Sequence, residues 1–161
     1  MKPIRLRYLI AAVFALATLC CFAGNRLYVK DFAINPGETK IIEIYVENSK
    51  PIISLQADIV LPAGLTMVCD SIMLTDRAKK HAVMASENDG VYTIMSFSMS
   101  NTPFKGNNGP IIEVPVVASD DFSQSGDIVV TDITVQASDR TTLIKNGQSQ
   151  SKAYIAKTFT E

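Results

Sequence analysis

His81 and Cys69 are of residue types that carry out nucleophilic or metal chemistry. His81 is the only histidine, and the basic run from Arg77 to His81 supplies no acid to orient an imidazole base. A lone histidine in such a charged turn is expected to face solvent. Cys69 lies on a predicted strand, where a single thiol is usually a small core residue. One histidine and one cysteine do not make a zinc site, so the sequence predicts neither catalytic residues nor an enzyme.

A second group of residues could bind calcium. Asp120, Asp121 and Asp127 surround a Ser-Gln-Ser-Gly loop, and their carboxylates are the hard oxygen ligands that calcium prefers. Their spacing does not match the twelve-residue calcium-binding loop. We therefore predict no metal site and no cofactor.

The first 23 residues have the pattern of a cleaved secretory signal. Lys2, Arg5 and Arg7 precede an apolar run from Tyr8 to Phe22, and Cys21-Phe22-Ala23 supplies small residues where a signal peptidase would cut. A retained anchor is the alternative, but the run is shorter than the roughly 20 residues that span a bilayer. Lipidation is a lesser alternative. We expect a secreted, periplasmic or cell-surface protein with no stable membrane span after cleavage.

Signal cleavage would change both the cysteine count and the charge. Of the three cysteines only Cys69 would remain, so the mature chain could form no internal disulfide and must rely on a packed core. Residues 24–161 are enough for one domain. Losing three positive charges moves the formal net charge from −1 to −4. This acidity argues against nucleic-acid binding, which favours a basic patch.

The rest of the chain alternates apolar and polar residues with a period of two. We predict an all-β sandwich of about nine strands over residues 24–145, followed at 146–161 by a loop and then a last strand or a tail. Asn88-Asp89-Gly90 predicts a hairpin, and Asp76 to His81 is the only candidate helical turn. The predicted strands are Leu27–Phe32, Thr39–Val46, Ile52–Leu61, Thr66–Met73, His81–Ser86, Val91–Ser100, Pro110–Ala118, Asp127–Ala137 and Thr141–Ile144.

The predicted strand from Ile52 to Leu61 has one apolar and one largely polar face. Pro62 ends it because proline has no N–H to donate, and Gly64 permits the turn that follows. The inward positions are Leu55, Ala57, Ile59 and Leu61, and the outward positions are Ser54, Gln56, Asp58 and Val60. The outward face of this strand is therefore the first candidate for a binding surface.

Three motifs along the chain resemble cohesin modules. They are Asn35-Pro36-Gly37-Glu38 followed by an alternating strand, the Leu55 to Leu61 strand followed by Pro-Ala-Gly-Leu, and Gly109-Pro110-Ile111-Ile112-Glu113-Val114. The resemblance covers roughly Leu27 to Ala137. It implies a nine-stranded jelly-roll sandwich, akin to some carbohydrate-binding modules, that acts as a non-catalytic recognition domain for a dockerin module.

The resemblance also implies where a partner docks. Cohesins bind on a flat sheet face that includes the strand matching Ile52 to Leu61, with the strand Val91 to Ser100 beside it. On that second strand we expect Met95, Phe97 and Met99 to point inward. The predicted partner-binding residues are Gln56, Asp58, Val60, Ile94, Ser96 and Ser98.

Two other kinds of partner stay open. The cluster Arg77, Lys79, Lys80 and His81 is either a docking patch or, more commonly for charged turns, a solvent-facing connection. Direct binding of a polysaccharide, or a role as a surface adhesin component, is the alternative to protein docking. Sugar sites commonly use exposed aromatic platforms, whereas this chain has no Trp and its tyrosines are spread over separate segments. That distribution favours protein docking. The resemblance implies that the partner is a dockerin-like or other secreted protein, in a polysaccharide-degrading or surface assembly.

Overall fold

A computed structural model describes residues 24–156, which form eleven β-strands and one short 3-10 turn at Cys69–Ser71. The predicted signal peptide, residues 1–23, lies outside the described residues. The strands are β1 (Arg26–Val29), β2 (Phe32–Ile34), β3 (Thr39–Glu47), β4 (Ile52–Val60), β5 (Leu65–Met67), β6 (Met73–Leu74), β7 (Ala82–Asn88), β8 (Val91–Phe97), β9 (Pro110–Ala118), β10 (Gly126–Ala137) and β11 (Thr142–Ile155).

The strands form two sheets that face each other. One sheet has the order β1-β3-β9-β5, with β6 also paired to β9, and the other has the order β2-β11-β10-β4-β8-β7. Within these sheets β2 and β11 pair in parallel, while the other pairs are antiparallel. The prediction of an all-β sandwich is confirmed. Over residues 24–156 we find no helix that is long and apolar enough to cross a membrane.

The core lies between the two sheets and is built from the inward side chains of both. Because strand side chains alternate between faces, each long strand contributes every second residue. Cys69 is a free thiol, so hydrophobic burial holds the described domain together without a disulfide. The fully enclosed large side chains include Ile34, Ile44, Ile52, Ile59, Ile94, Ile111, Ile112, Ile128, Ile133 and Val114.

Four predicted elements differ in the structure. The predicted strand from Leu27 to Phe32 is split into β1 and β2, which belong to different sheets. The predicted strand from Thr66 to Met73 is interrupted by the 3-10 turn, so Cys69 lies in a turn rather than on a strand. The predicted loop at 146–152 is wrong, because these residues belong to β11 and pair with β10. The predicted helical turn at Asp76 to His81 is a set of hydrogen-bonded turns, in which the His81 N–H donates to the Ala78 carbonyl over 2.9 Å.

The hairpin between β7 and β8 forms where the sequence predicts it. Asp89 and Gly90 are its two loop residues, with φ angles of +50° and +79°. Two positive φ angles match the type I′ turn, whose twist suits the flanking strands. Because the loop has only two residues, Asn88 pairs directly with Val91, and this pairing fixes the register of both strands.

Candidate functional site

The exposed surface of β10, β4, β8 and β7 is the candidate site, and we call it the outer face. On β4, Leu55, Ala57 and Ile59 are buried, which leaves Gln56, Asp58 and Val60 on the opposite side of the strand. The structure places Gln56 and Asp58 there as half-buried residues and Val60 as an exposed one.

The position of Asp58 is set by a neighbour on β8. Asp58 and Thr93 are directly opposite each other in the antiparallel pairing, and the Thr93 hydroxyl donates a 2.7 Å hydrogen bond to the Asp58 Oδ1. Thr131 lies opposite Asp58 on its other side, on β10. The carboxylate is therefore held in a fixed place at the centre of the outer face, with its second oxygen available to another donor.

The predicted outward facing of Ile94 and Ser96 is wrong. Ile94 pairs with Ala57, a core residue, and both Ile94 and Ser96 are 0% exposed. The enclosed Ser96 hydroxyl donates to the Ala82 carbonyl over 2.9 Å, which satisfies its need for a partner. Ser98 lies beyond the end of β8, and its hydroxyl accepts a 2.7 Å hydrogen bond from the Thr102 N–H. Ser98 therefore stabilises a turn.

Two outward side chains of β8, Met95 and Phe97, are apolar, so the expectation that they point inward is wrong. Met95 pairs with Gln56 and Phe97 pairs with Ser54, so both share the face of the polar β4 residues. Met84 on β7 lies directly opposite Met95 and is 61% exposed. Met99, just after β8, is also exposed. We call Met84, Met95, Phe97 and Met99 the methionine strip, and the sequence prediction missed it as a surface.

A second apolar group lies at the other end of the outer face. Val60 pairs with Val129 on β10 and with Val91 on β8. Val60 and Val129 are both exposed. The outer face thus has an apolar group at each end and the hydrogen-bonded Asp58 between them. Polarizable, flexible methionine side chains adapt well to a partner surface, and a fixed carboxylate adds directional hydrogen bonding.

The five-stranded sheet carries a different surface, which we call the tyrosine cluster. The rings of Tyr28 and Tyr45 stack with their centroids 5.4 Å apart. Arg26 lies over the Tyr28 ring at 4.7 Å, and the Lys30 ammonium lies over the Tyr45 ring at 3.9 Å. The Tyr28 hydroxyl donates to Glu47, and the Tyr45 hydroxyl donates to Glu43. The ring faces and hydroxyls are thus engaged within the chain, which leaves no open platform for a pyranose ring.

The basic turn from Arg77 to His81 is only partly a solvent-facing connection. The Arg77 guanidinium donates to the carbonyl oxygens of Val46 at 2.7 Å, Gly109 at 2.8 Å and Lys105 at 2.6 Å, and to the Asn48 side chain. These acceptors are all uncharged, and burial lowers the pKa of Arg77. Arg77 therefore ties the loop after Lys105 to the end of β3 and is not free to bind a partner.

His81 is half-buried, so the expectation that it faces solvent is wrong. Its ring stacks on Phe104 with centroids 4.0 Å apart. The Ala78 carbonyl lies 3.2 Å from Nδ1, and since a carbonyl can only accept, Nδ1 carries the hydrogen. These contacts hold the imidazole as part of the packing beneath the turn.

The remaining candidates do not assemble into a site. Burial raises the pKa of the Cys69 thiol, which lowers its thiolate fraction at neutral pH. Asp120 and Asp121 are exposed, and Asp127 lies 3.9 Å from the Lys152 ammonium. Over residues 24–156 there is no group of three or more His, Cys, Asp or Glu side chains that could hold a metal ion.

Among the comparisons with known proteins, the comparison with solved structures found matches. No protein-family model and no curated protein sequence matches this chain. It is similar to the non-cellulosomal cohesin of the archaeon Archaeoglobus fulgidus, with a TM-score of 0.68 and 11% identity over 83% of this chain and 92% of the cohesin.

Two further solved structures show a similar agreement. A type I cohesin from Clostridium thermocellum, solved in a cohesin–dockerin complex, has a TM-score of 0.66 and 11% identity over 83% of this chain and 99% of its own. The sixth cohesin of scaffoldin B from Acetivibrio cellulolyticus, solved with a dockerin, has a TM-score of 0.66 and 13% identity over the same shares. The protein therefore has a cohesin-like fold.

Proposed function

We propose that this protein is a non-catalytic docking module that binds a dockerin-like module of another protein through its outer face. The observation that carries the proposal is the pairing of exposed apolar side chains with a fixed carboxylate on four adjacent strands. Met95 supplies apolar area directly beside Gln56 and Met84 lies beside Met95, while Asp58 is oriented by Thr93. Interfaces gain most of their binding energy from a few apolar anchors and oriented polar groups.

The rigidity of the outer face adds support. Its central strand β4 is paired along seven residues with β8 on one side and with β10 on the other, so docking would order little additional backbone. Two of the similar cohesin structures were solved in complex with dockerins. The setting that we propose is outside the cytoplasm, in a surface or polysaccharide-degrading assembly, reached through the signal at residues 1–23.

The tyrosine cluster makes direct sugar binding the weaker alternative. Aromatic rings bind sugars through an open face, and here the faces of Tyr28 and Tyr45 meet each other, Arg26 and Lys30. Tyr92 is buried in the core. Tyr154 is exposed on β11, two strands away from β4. None of these rings adds to the methionine strip.

Calorimetric titration of the purified protein with a panel of dockerin modules, with calcium and with chelator, tests the proposal. We expect saturable binding to at least one module, and its loss in Met95→Asp, which places a charge in the methionine strip. Ile41→Asp is the matched control, because Ile41 is 52% exposed on the other sheet, and it should bind normally. Glycan-array binding without any protein partner, or equal loss in both variants, would contradict the proposal.

A further inference from the structure

A pocket outside the outer face lies between the turn after Thr75 and the segment Thr102–Lys105. Its volume is about 350 Å³. We call it the basic pocket and define it by Arg77, Lys79, Lys80, His81, Pro103 and Lys105, which line it together with Asp76 and Thr102. The methionine strip contributes none of these residues. The pocket is thus a separate feature that the docking proposal does not use.

The two walls of the basic pocket are joined to each other by hydrogen bonds. The Lys105 N–H donates to the Arg77 carbonyl over 2.8 Å, and the Arg77 Nε–H donates back to the Lys105 carbonyl over 2.6 Å. His81 is fixed by its stack on Phe104, which is itself buried. The cavity is therefore formed before a ligand arrives, and a ligand that enters it loses little affinity to rearrangement of the protein.

The charged side chains that line the basic pocket are mostly positive. Asp76 is its only acidic residue and lies 3.5 Å from the Lys79 ammonium, with both side chains largely exposed. Within residues 24–156 the ammonium groups of Lys80 and Lys105 have no carboxylate within 4.0 Å. Arg77 adds a further positive charge that its uncharged acceptors do not neutralise. This concentration of positive charge, in a chain of net charge −1, attracts anions.

We propose that the basic pocket binds an acidic peptide segment of a partner protein. An apolar side chain of that segment enters the cavity beside Pro103 and the His81 ring, and acidic residues on either side of it meet Lys80 and Lys105. A polyanion such as a charged polysaccharide can bind a flat basic surface and has no need of a recess. A membrane-binding site would place apolar side chains on the protein surface around the cations, whereas here the apolar contacts are inside a recess. The combination of an open recess with cations at its rim favours a short peptide.

The test is an amide-resolved NMR titration of the purified protein with two capped tripeptides. The probe is acetyl-Glu-Leu-Glu-amide, and its matched control is acetyl-Gln-Leu-Gln-amide, which has the same shape without charge. We expect saturable shifts at the amides of Lys80, His81 and Lys105 with the acidic peptide alone, weakening as salt is added. Equal shifts with both peptides, or no shifts at these amides, would overturn the proposal.

Two variants separate the basic pocket from general charge effects. Lys80→Gln combined with Lys105→Gln should weaken binding of the acidic peptide by about tenfold or more. Lys40→Gln combined with Lys145→Gln removes the same charge elsewhere and should leave binding unchanged, while thermal unfolding verifies that both proteins are folded. Shifts produced at the pocket by polygalacturonate or anionic vesicles, but not by the peptide, would assign it to another ligand. Because no dockerin is used, failure here and failure of docking at the outer face are distinguishable.

Discussion

The outer face and the tyrosine cluster lie on opposite sheets of one sandwich and differ in where their side chains find partners. In the tyrosine cluster, Tyr28 and Tyr45 bind each other, the neighbouring cations and two glutamates. On the outer face, Met84 and Met95 are exposed, and one oxygen of Asp58 bonds to Thr93. A surface whose groups already satisfy one another has less to gain from a partner, so binding is expected where apolar area and acceptors stay uncommitted.

The largest expected effect tests which side of β8 belongs to the outer face. Ile94→Ala empties a fully buried site and should lower the free energy of unfolding by about 2–5 kcal/mol. Met95→Ala, one residue along the strand, should lower it by about 1 kcal/mol or less, because its side chain is partly exposed. Urea denaturation measures both. Equal losses would mean that the assigned facing of β8 is incorrect.

A second substitution compares one carboxylate from each sheet. Asp58→Ala should weaken the dockerin complex by about 1–3 kcal/mol if the complex desolvates this carboxylate. Glu43→Ala removes a carboxylate that bonds to Tyr45 in the tyrosine cluster and should leave the affinity unchanged. Calorimetry of both variants gives the answer. An unaltered affinity in Asp58→Ala would remove this residue from the site.

A third measurement asks whether the tyrosine cluster stabilises the fold or binds a ligand. A double-mutant cycle of Tyr28→Leu and Tyr45→Leu should give a coupling of about 0.5–1.5 kcal/mol in the free energy of unfolding, as expected for a stacked aromatic pair. Dockerin affinity should be the same in all four proteins. A fall in affinity that follows the loss of either ring would move the docking site to the five-stranded sheet.

The smallest expected effect concerns an ion pair at the end of the six-stranded sheet. Lys50 Nζ lies 2.9 Å from Asp139 Oδ2, and this hydrogen bond, with others from Thr141, lowers the pKa of Asp139 below its usual value. A lowered folded-state pKa adds stability that is present above the unfolded pKa of about 4 and is lost as the pH falls below it. Wild-type stability should therefore decline more steeply below about pH 4 than that of Asp139→Asn. Parallel slopes in acid denaturation would contradict this assignment.

The facing of β4 is predictable from the sequence, whereas that of β8 is not. Along β4, Leu55, Ala57 and Ile59 alternate with polar neighbours, so one face is clearly apolar. Along β8 both faces carry large apolar residues, because Met95 and Phe97 occupy one face and Tyr92 and Ile94 the other. The pairing with β4 decides between them, since Ile94 lies opposite the buried Ala57. That pairing is a long-range contact that local periodicity does not contain.

The sequence also failed to predict that residues 146–152 belong to β11, and this error has a different physical cause. Its inner positions include Gly147, Ser149 and Ser151, none of which gives a hydrophobic signal, and its outer positions are polar. At Gly147 there is no room for a larger residue, because a side chain there would collide with Ile144 and Ile133. A strand that packs by small size instead of by apolar area is invisible to a pattern based on hydropathy. The structural role of Arg77 could not be predicted from the sequence either, because the carbonyl groups that it binds are brought together only by folding.

The parallel pairing of β2 with β11 has a mechanical consequence. Phe32, Ala33 and Ile34 lie beside Ala153, Tyr154 and Ile155, and these strands are near the two ends of the described chain. A force applied to the chain just before Phe32 and just after Ile155 pulls the two strands lengthwise past each other. The hydrogen bonds between them then share the load together instead of opening one at a time. The β2–β11 pairing thus resists such a force more strongly than strands that are peeled apart from one end.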